Sequence, residues 1–170
     1  YLQWKKEEGL AAPEIPWLWL NSPLLRPGHN QSETKKKLAG WIARYAPRIP
    51  LTTGVRRSDV CHVEHPDVHS TRKDFAGCHN RVSARFGFSL LQSEESVMNS
   101  APILSVDTRL LLIQGDEDQI CPPAFAFEFF GKAKCHSKTL VYVKGARHEI
   151  FRESVRASFF AAARCWFVDM

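Results

Sequence analysis

Two side chains in this 170-residue sequence have both the type and the setting for acid–base chemistry, Asp118 and His148. Each stands three residues beyond a glycine that closes an apolar run: Leu110-Leu111-Leu112-Ile113-Gln114 before Gly115, and Leu140-Val141-Tyr142-Val143-Lys144 before Gly145. An imidazole titrates near neutrality, so it can take a proton and return it. A carboxylate bonded to one ring nitrogen fixes the ring and stabilises its charged form, leaving the other nitrogen to draw a proton from a hydroxyl. Asp and His on loops are common surface residues. It is their placement after two apolar runs that points to chemistry.

Apolar runs of this length without alternation read as strands covered on both faces, which requires a parallel sheet with helices on either side. In such sheets side chains converge just beyond the carboxyl ends of the strands, where Asp118 and His148 fall. A third run, Trp17-Leu18-Trp19-Leu20, closes at Asn21-Ser22-Pro23, where proline cannot continue a central strand. The expected fold is α/β, with three parallel strands and flanking helices. Pro122 suits the first position of a helix with Phe125, Phe129 and Phe130 inward. Val155, Phe159, Phe160, Ala163, Trp166 and Phe167 predict a final helix packed on the sheet. Residues 1–8 read as the end of a helix stopped at Gly9.

Between the first two strands, residues 26–101 are richer in His, Ser and charge and predict an inserted helical cap. The chain thus divides into residues 1–25 and 102–170 of the α/β core, and the cap between them. Ser32 is placed to cap a helix with Leu38, Trp41, Ile42 and Tyr45 on one face and Lys35, Lys36, Lys37 and Arg44 on the other. Such a helix either packs on its own domain or meets a lipid surface or a long-chain substrate. The run from Cys61 to His69 carries metal-ligating types, but Pro66 breaks the helix that would bring His65 and His69 together. Asn80 or Ser83 caps a further helix with Phe86, Leu90, Leu91, Val97 and Met98 inward, ending at Ala101-Pro102.

A composition of 44% hydrophobic and 24% charged residues is that of a domain able to bury a core. The net charge of +5 is scattered, without the aromatic-interleaved basic stripe or zinc-finger spacing of a nucleic-acid binder. Five cysteines, an odd number with no CxxC pair, argue against a disulfide framework and for a reducing, cytoplasmic setting. No segment approaches the roughly 20 apolar residues of a membrane span. Membrane association, if any, would be peripheral and through the cap. No metal or cofactor is expected.

Gly115-Asp116-Glu117-Asp118-Gln119-Ile120-Cys121-Pro122 resembles the acid loop, and Gly145-Ala146-Arg147-His148-Glu149-Ile150-Phe151-Arg152-Glu153 the histidine loop, of the α/β-hydrolases grouped with monoacylglycerol lipases and lysophospholipases, the serine aminopeptidase S33 type. Trp19-Leu20-Asn21-Ser22-Pro23 is similar to the strand that follows the nucleophile helix in that group, and residues 74–85 to its cap segment. The resemblance implies Asp118 as triad acid and His148 as triad base, with Asp116 as the alternative acid and Glu149 and Glu153 orienting the histidine loop and capping the last helix. It implies a small lipid or ester substrate; peptidase or transacylase activity would use the same residues. Arg109 stands where the group usually has proline. No Gly-x-Ser-x-Gly nucleophile elbow occurs in the sequence. The resemblance therefore predicts the C-terminal half of a serine hydrolase whose nucleophile and oxyanion-hole donors lie upstream, inactive alone. The alternative is a non-catalytic interaction module of the same fold.

Overall fold

The computed structural model describes residues 7–9, 15–27, 31–62, 65 and 80–168. In chain order its elements are β1 (Trp17–Asn21), α1 (Glu33–Tyr45), β2 (Pro50–Thr52), α2 (Arg57–Val60), β3 (Arg81–Ser83), α3 (Ala84–Ser100), β4 (Arg109–Gly115), α4 (Pro123–Lys132), β5 (Lys138–Val143) and α5 (Arg156–Val168). Short 3-10 turns follow α3 at Ala101–Ile103 and precede α5 at Ile150–Arg152.

The core sheet is parallel with the order β1-β4-β5. Its register sets Asn21 beside Ile113 and Gly115 beside Val143, so the carboxyl ends finish at one edge. The unbroken apolar run of β4 serves two cores, because successive strand residues point to opposite faces. Leu110 and Leu112 join Leu25, Met98, Leu104, Ala126 and Phe129 on one side. Leu111 and Ile113 join Val143, Ile150, Phe159, Ala163 and Trp166 on the other. All four β4 side chains are fully buried, each contributing roughly 1.5–3 kcal/mol, which fixes the strand that carries the acid loop.

The two core helices enter as their periodicity requires, with corrections. Pro122 is the N-cap of α4 and Pro123 its first residue, one later than expected. On α5, which begins after Val155, Phe159, Ala163 and Trp166 are buried at the 3.6-residue period, whereas Phe160 is half exposed, because the remaining five apolar residues exceed what one helix face can hold. Phe167 lies at the rim of β1, edge-on to Trp17 and Trp19. Gly9 has the positive φ, +65°, expected of a helix stop, while residues 1–6 lie outside the described ones.

Between the core strands the chain forms more than helices. Pro50–Thr52 and Arg81–Ser83 pair as a short antiparallel ladder, a contact between distant three-residue segments too short to carry a period. Ser32 accepts from the Lys35 N–H at the start of α1, and Ser83 from the Phe86 N–H at the start of α3. Phe86 itself is exposed rather than inward. The largest difference concerns α1. It packs on α3 at Gly40, with the Phe88 ring so close that an added Cβ would sit 2.9 Å from it. Leu38, Trp41 and Tyr45 consequently face solvent, 57%, 63% and 64% exposed. Of the predicted stripe only Ile42 is partly buried; the other three residues point outward. Residues 66–79, which hold most of the His-rich run and the first half of the 74–85 stretch that resembles the cap segment, lie outside the described residues.

Candidate active site

The acid loop begins where β4 runs out at Gly115. The site needs glycine there, since a Cβ would overlap the carbonyl oxygens of Ala146 and Arg147 on the histidine loop. Backbone bonds hold the two loops in this contact: Asp116 N–H donates to Val143 O at 3.3 Å and Glu117 N–H to Ala146 O at 3.0 Å. Asp116 is exposed and accepts from the Gly145 N–H at 2.7 Å, with Gly145 in the left-handed region at φ +73°. The carboxylate named as the alternative acid is thus bonded to the turn before the histidine.

Asp118 is turned the other way and its side chain is fully buried. Its Oδ1 accepts from the N–H groups of Ile120 (2.9 Å) and Cys121 (2.8 Å). Its Oδ2 accepts from Gln114 Nε2 and faces His148 Nδ1, each at 3.0 Å. An ionised carboxylate only accepts. In the neutral ring the Nδ1 opposite it therefore carries the proton, which leaves the Nε2 lone pair on a side chain that is 30% exposed.

Gln114 was not singled out by sequence reasoning. It is 1% exposed and donates both to Asp118 and to the Cys121 carbonyl, at 2.9 Å. A polar residue within an otherwise apolar buried strand must find partners, and that was the available signal. The histidine loop is anchored from below by Val143, Ala146 and Ile150, all buried in the second core. Glu153 is buried as well: its carboxylate accepts from the Arg147 N–H at 3.0 Å, and its backbone carbonyl accepts from the Arg156 N–H at the start of α5. Glu149 forms an ion pair with Arg152 at 3.2 Å.

The Cys121 thiol is buried beside the pair and its pKa is pushed up to about 12, first by burial and then by the charge of Asp118. It stays protonated at neutral pH and offers no thiolate nucleophile. Ligand-type atoms of Asp118, Cys121 and His148 lie within 4.8 Å of one another, a spacing a divalent cation could bridge. Both oxygens of Asp118, however, are already engaged by N–H donors, the pattern of an acid that orients an imidazole. Among the described residues Cys121, Cys135 and Cys165 are free thiols. No described helix is long and apolar enough to cross a membrane.

Comparisons with known proteins bear on the family and the fold. The family described as serine aminopeptidase, S33, matches residues 10–155. The chain is 25% identical over 171 residues to the phospholipase YtpA of Bacillus subtilis, covering 97% of this chain and 62% of that protein. It is 29% identical over 150 residues to human monoglyceride lipase, covering 86% of this chain and 48% of the relative. Its fold superposes on a monoacylglycerol lipase of Paleococcus ferrophilus with a TM-score of 0.76 at 23% identity, over 99% of this chain and 62% of that one. The chain thus spans about half to two-thirds of the length of these relatives.

Proposed function

Because this chain belongs to the serine aminopeptidase S33 family of α/β-hydrolases, in the monoacylglycerol lipase-type group, we propose that it carries the acid and base of a serine ester hydrolase acting on monoacylglycerol- or lysophospholipid-like esters. The observation that carries this reading is the 3.0 Å approach of His148 Nδ1 to a buried Asp118 whose other acceptor positions are filled. Asp118 orients the ring and stabilises the imidazolium. His148 Nε2 takes the proton of a serine hydroxyl supplied from outside these residues, since the sequence holds no Gly-x-Ser-x-Gly. The oxygen attacks the ester carbonyl; His148 then protonates the departing alcohol, and the same ring activates water to release the acid. The relatives that are a phospholipase and monoglyceride lipases support a lipid ester as substrate.

Peripheral contact with lipid belongs to the same reading. Leu38, Trp41 and Tyr45 form an outward stripe on α1, bordered at helical spacing by exposed Lys35 on one side and Lys37 and Arg44 on the other. An aromatic and aliphatic face edged by cations suits the boundary of an anionic bilayer.

The test is hydrolysis of a short p-nitrophenyl ester by a protein in which this chain is joined to its upstream reading frame. His148→Ala and Asp118→Asn should each lower kcat roughly ten-thousand-fold. Full activity in either variant removes that residue from the mechanism. An upstream frame with no nucleophile elbow would favour the second reading, a non-catalytic interaction module, for which the missing Gly-x-Ser-x-Gly is the supporting observation.

A further inference from the structure

The backbone on both sides of His148 is held by the cap as well as by the core. The Arg147 N–H donates to Glu153 Oε1 at 3.0 Å, and the same oxygen accepts from the His62 N–H at 2.8 Å. The Glu149 N–H donates to Val60 O at 2.9 Å, the His65 N–H to Arg152 O at 2.8 Å, and the Arg147 guanidinium to the Ser58 carbonyl. Ser58, Val60, His62 and His65 of the cap are therefore stitched to the histidine loop from Arg147 to Glu153. Glu153 is the side chain at the junction. It is 1% exposed, and a carboxylate is buried at such cost only where its acceptors are used.

We infer that Glu153 is a positioning residue that couples the cap to His148, so that the imidazole meets Asp118 correctly only while the cap segment is docked. This rests on the proposed acid and base roles of Asp118 and His148, and it adds a dependence that the pair alone does not have. Both bonds end on one oxygen of Glu153. A glutamine in its place can keep an acceptor there, whereas alanine removes it.

Three variants separate coupling from plain structural support. Glu153→Ala should lower kcat of the upstream-extended protein by about a hundredfold, the order expected for a 1 Å misplacement, with KM changed less. Glu153→Gln should restore it to within about tenfold of the parent. His62→Pro removes the cap-side N–H donor while leaving Glu153 in place, and Cys61 already has the extended backbone (φ −145°, ψ 138°) that a following proline requires. In the 170-residue chain, NMR of His62→Pro should show His148 losing its single Nδ1–H tautomer and the Arg147 and Glu149 amides exchanging faster. An unchanged ring and unchanged amides would overturn the coupling, even if His148→Ala abolishes hydrolysis. Should a variant not fold, the parent chain still decides: the His62, His65, Arg147 and Glu149 amides must exchange with one common opening, and independent rates would refute the inference. These readouts need no hydrolysis, so failure of the esterase reading is seen separately.

Discussion

Asp118 offers about four acceptor positions, and the fold directs a donor at each: two backbone N–H groups, the Gln114 amide and the His148 ring. Replacing Gln114 with leucine should therefore do two things. It leaves the buried Cys121 carbonyl without the Gln114 donor, which costs about 1–3 kcal/mol in a urea melt, and it frees Asp118 to swing, seen as heterogeneity of the His148 ring resonances. Cys121 gives a pH prediction. Its folded pKa of about 12 exceeds the ordinary 9.0, so above pH 9 the unfolded chain loses this proton while the folded chain keeps it. Stability from this group is complete below pH 9 and declines as pH rises towards 12. Unfolding midpoints of the parent should fall more steeply over that window than those of Cys121→Ala. At this scale Asp118 and His148 were legible, because each follows an apolar run and a glycine. Gln114 and the reach of Glu153 to His62 were not, since a side chain's partner 91 residues away leaves no local pattern.

Among elements, β4 was the most readable. Leu110 to Ile113 are apolar without alternation because both faces are covered, and their two cores show the reason residue by residue. Its end at Gly115 gives a sharp expectation: Gly115→Ala places a methyl against the Ala146 and Arg147 carbonyls, costs about 1–3 kcal/mol by overpacking, and parts the two loops, measurable as loss of protection at the Glu117 amide. Helix α1 was readable in extent and capping but not in orientation. Its periodicity marks a hydrophobic stripe, while the packing face runs through Gly40, which allows close approach of the Phe88 ring on α3. Trp41→Ser with Tyr45→Ser should reduce co-sedimentation with anionic vesicles and leave thermal stability nearly unchanged, as expected for exposed side chains. Equal vesicle binding would exclude α1 as the contact.

At the scale of the molecule, three parallel strands suffice to bring the acid and histidine loops to one edge, and the inserted segment reaches back to grip the second of them. Among the described residues β1 pairs with β4 on one side only, and Trp17 at its start is half exposed. A strand edge of this kind invites pairing with another chain, so the 170-residue polypeptide should self-associate, and Trp17→Lys should shift it towards monomer in sedimentation velocity. The sheet and its reactive edge were legible because burial writes itself into hydrophobic pattern. The β2–β3 ladder and the cap contacts depend on the closure of long loops and were not. The account as a whole depends on the state of one ring, which nitrogen-15 NMR of His148 reads directly. In the neutral ring Nδ1 should carry the proton and Nε2 be bare, with this preference lost in Asp118→Asn. A ring protonated mainly on Nε2, or one indifferent to Asp118→Asn, would contradict it.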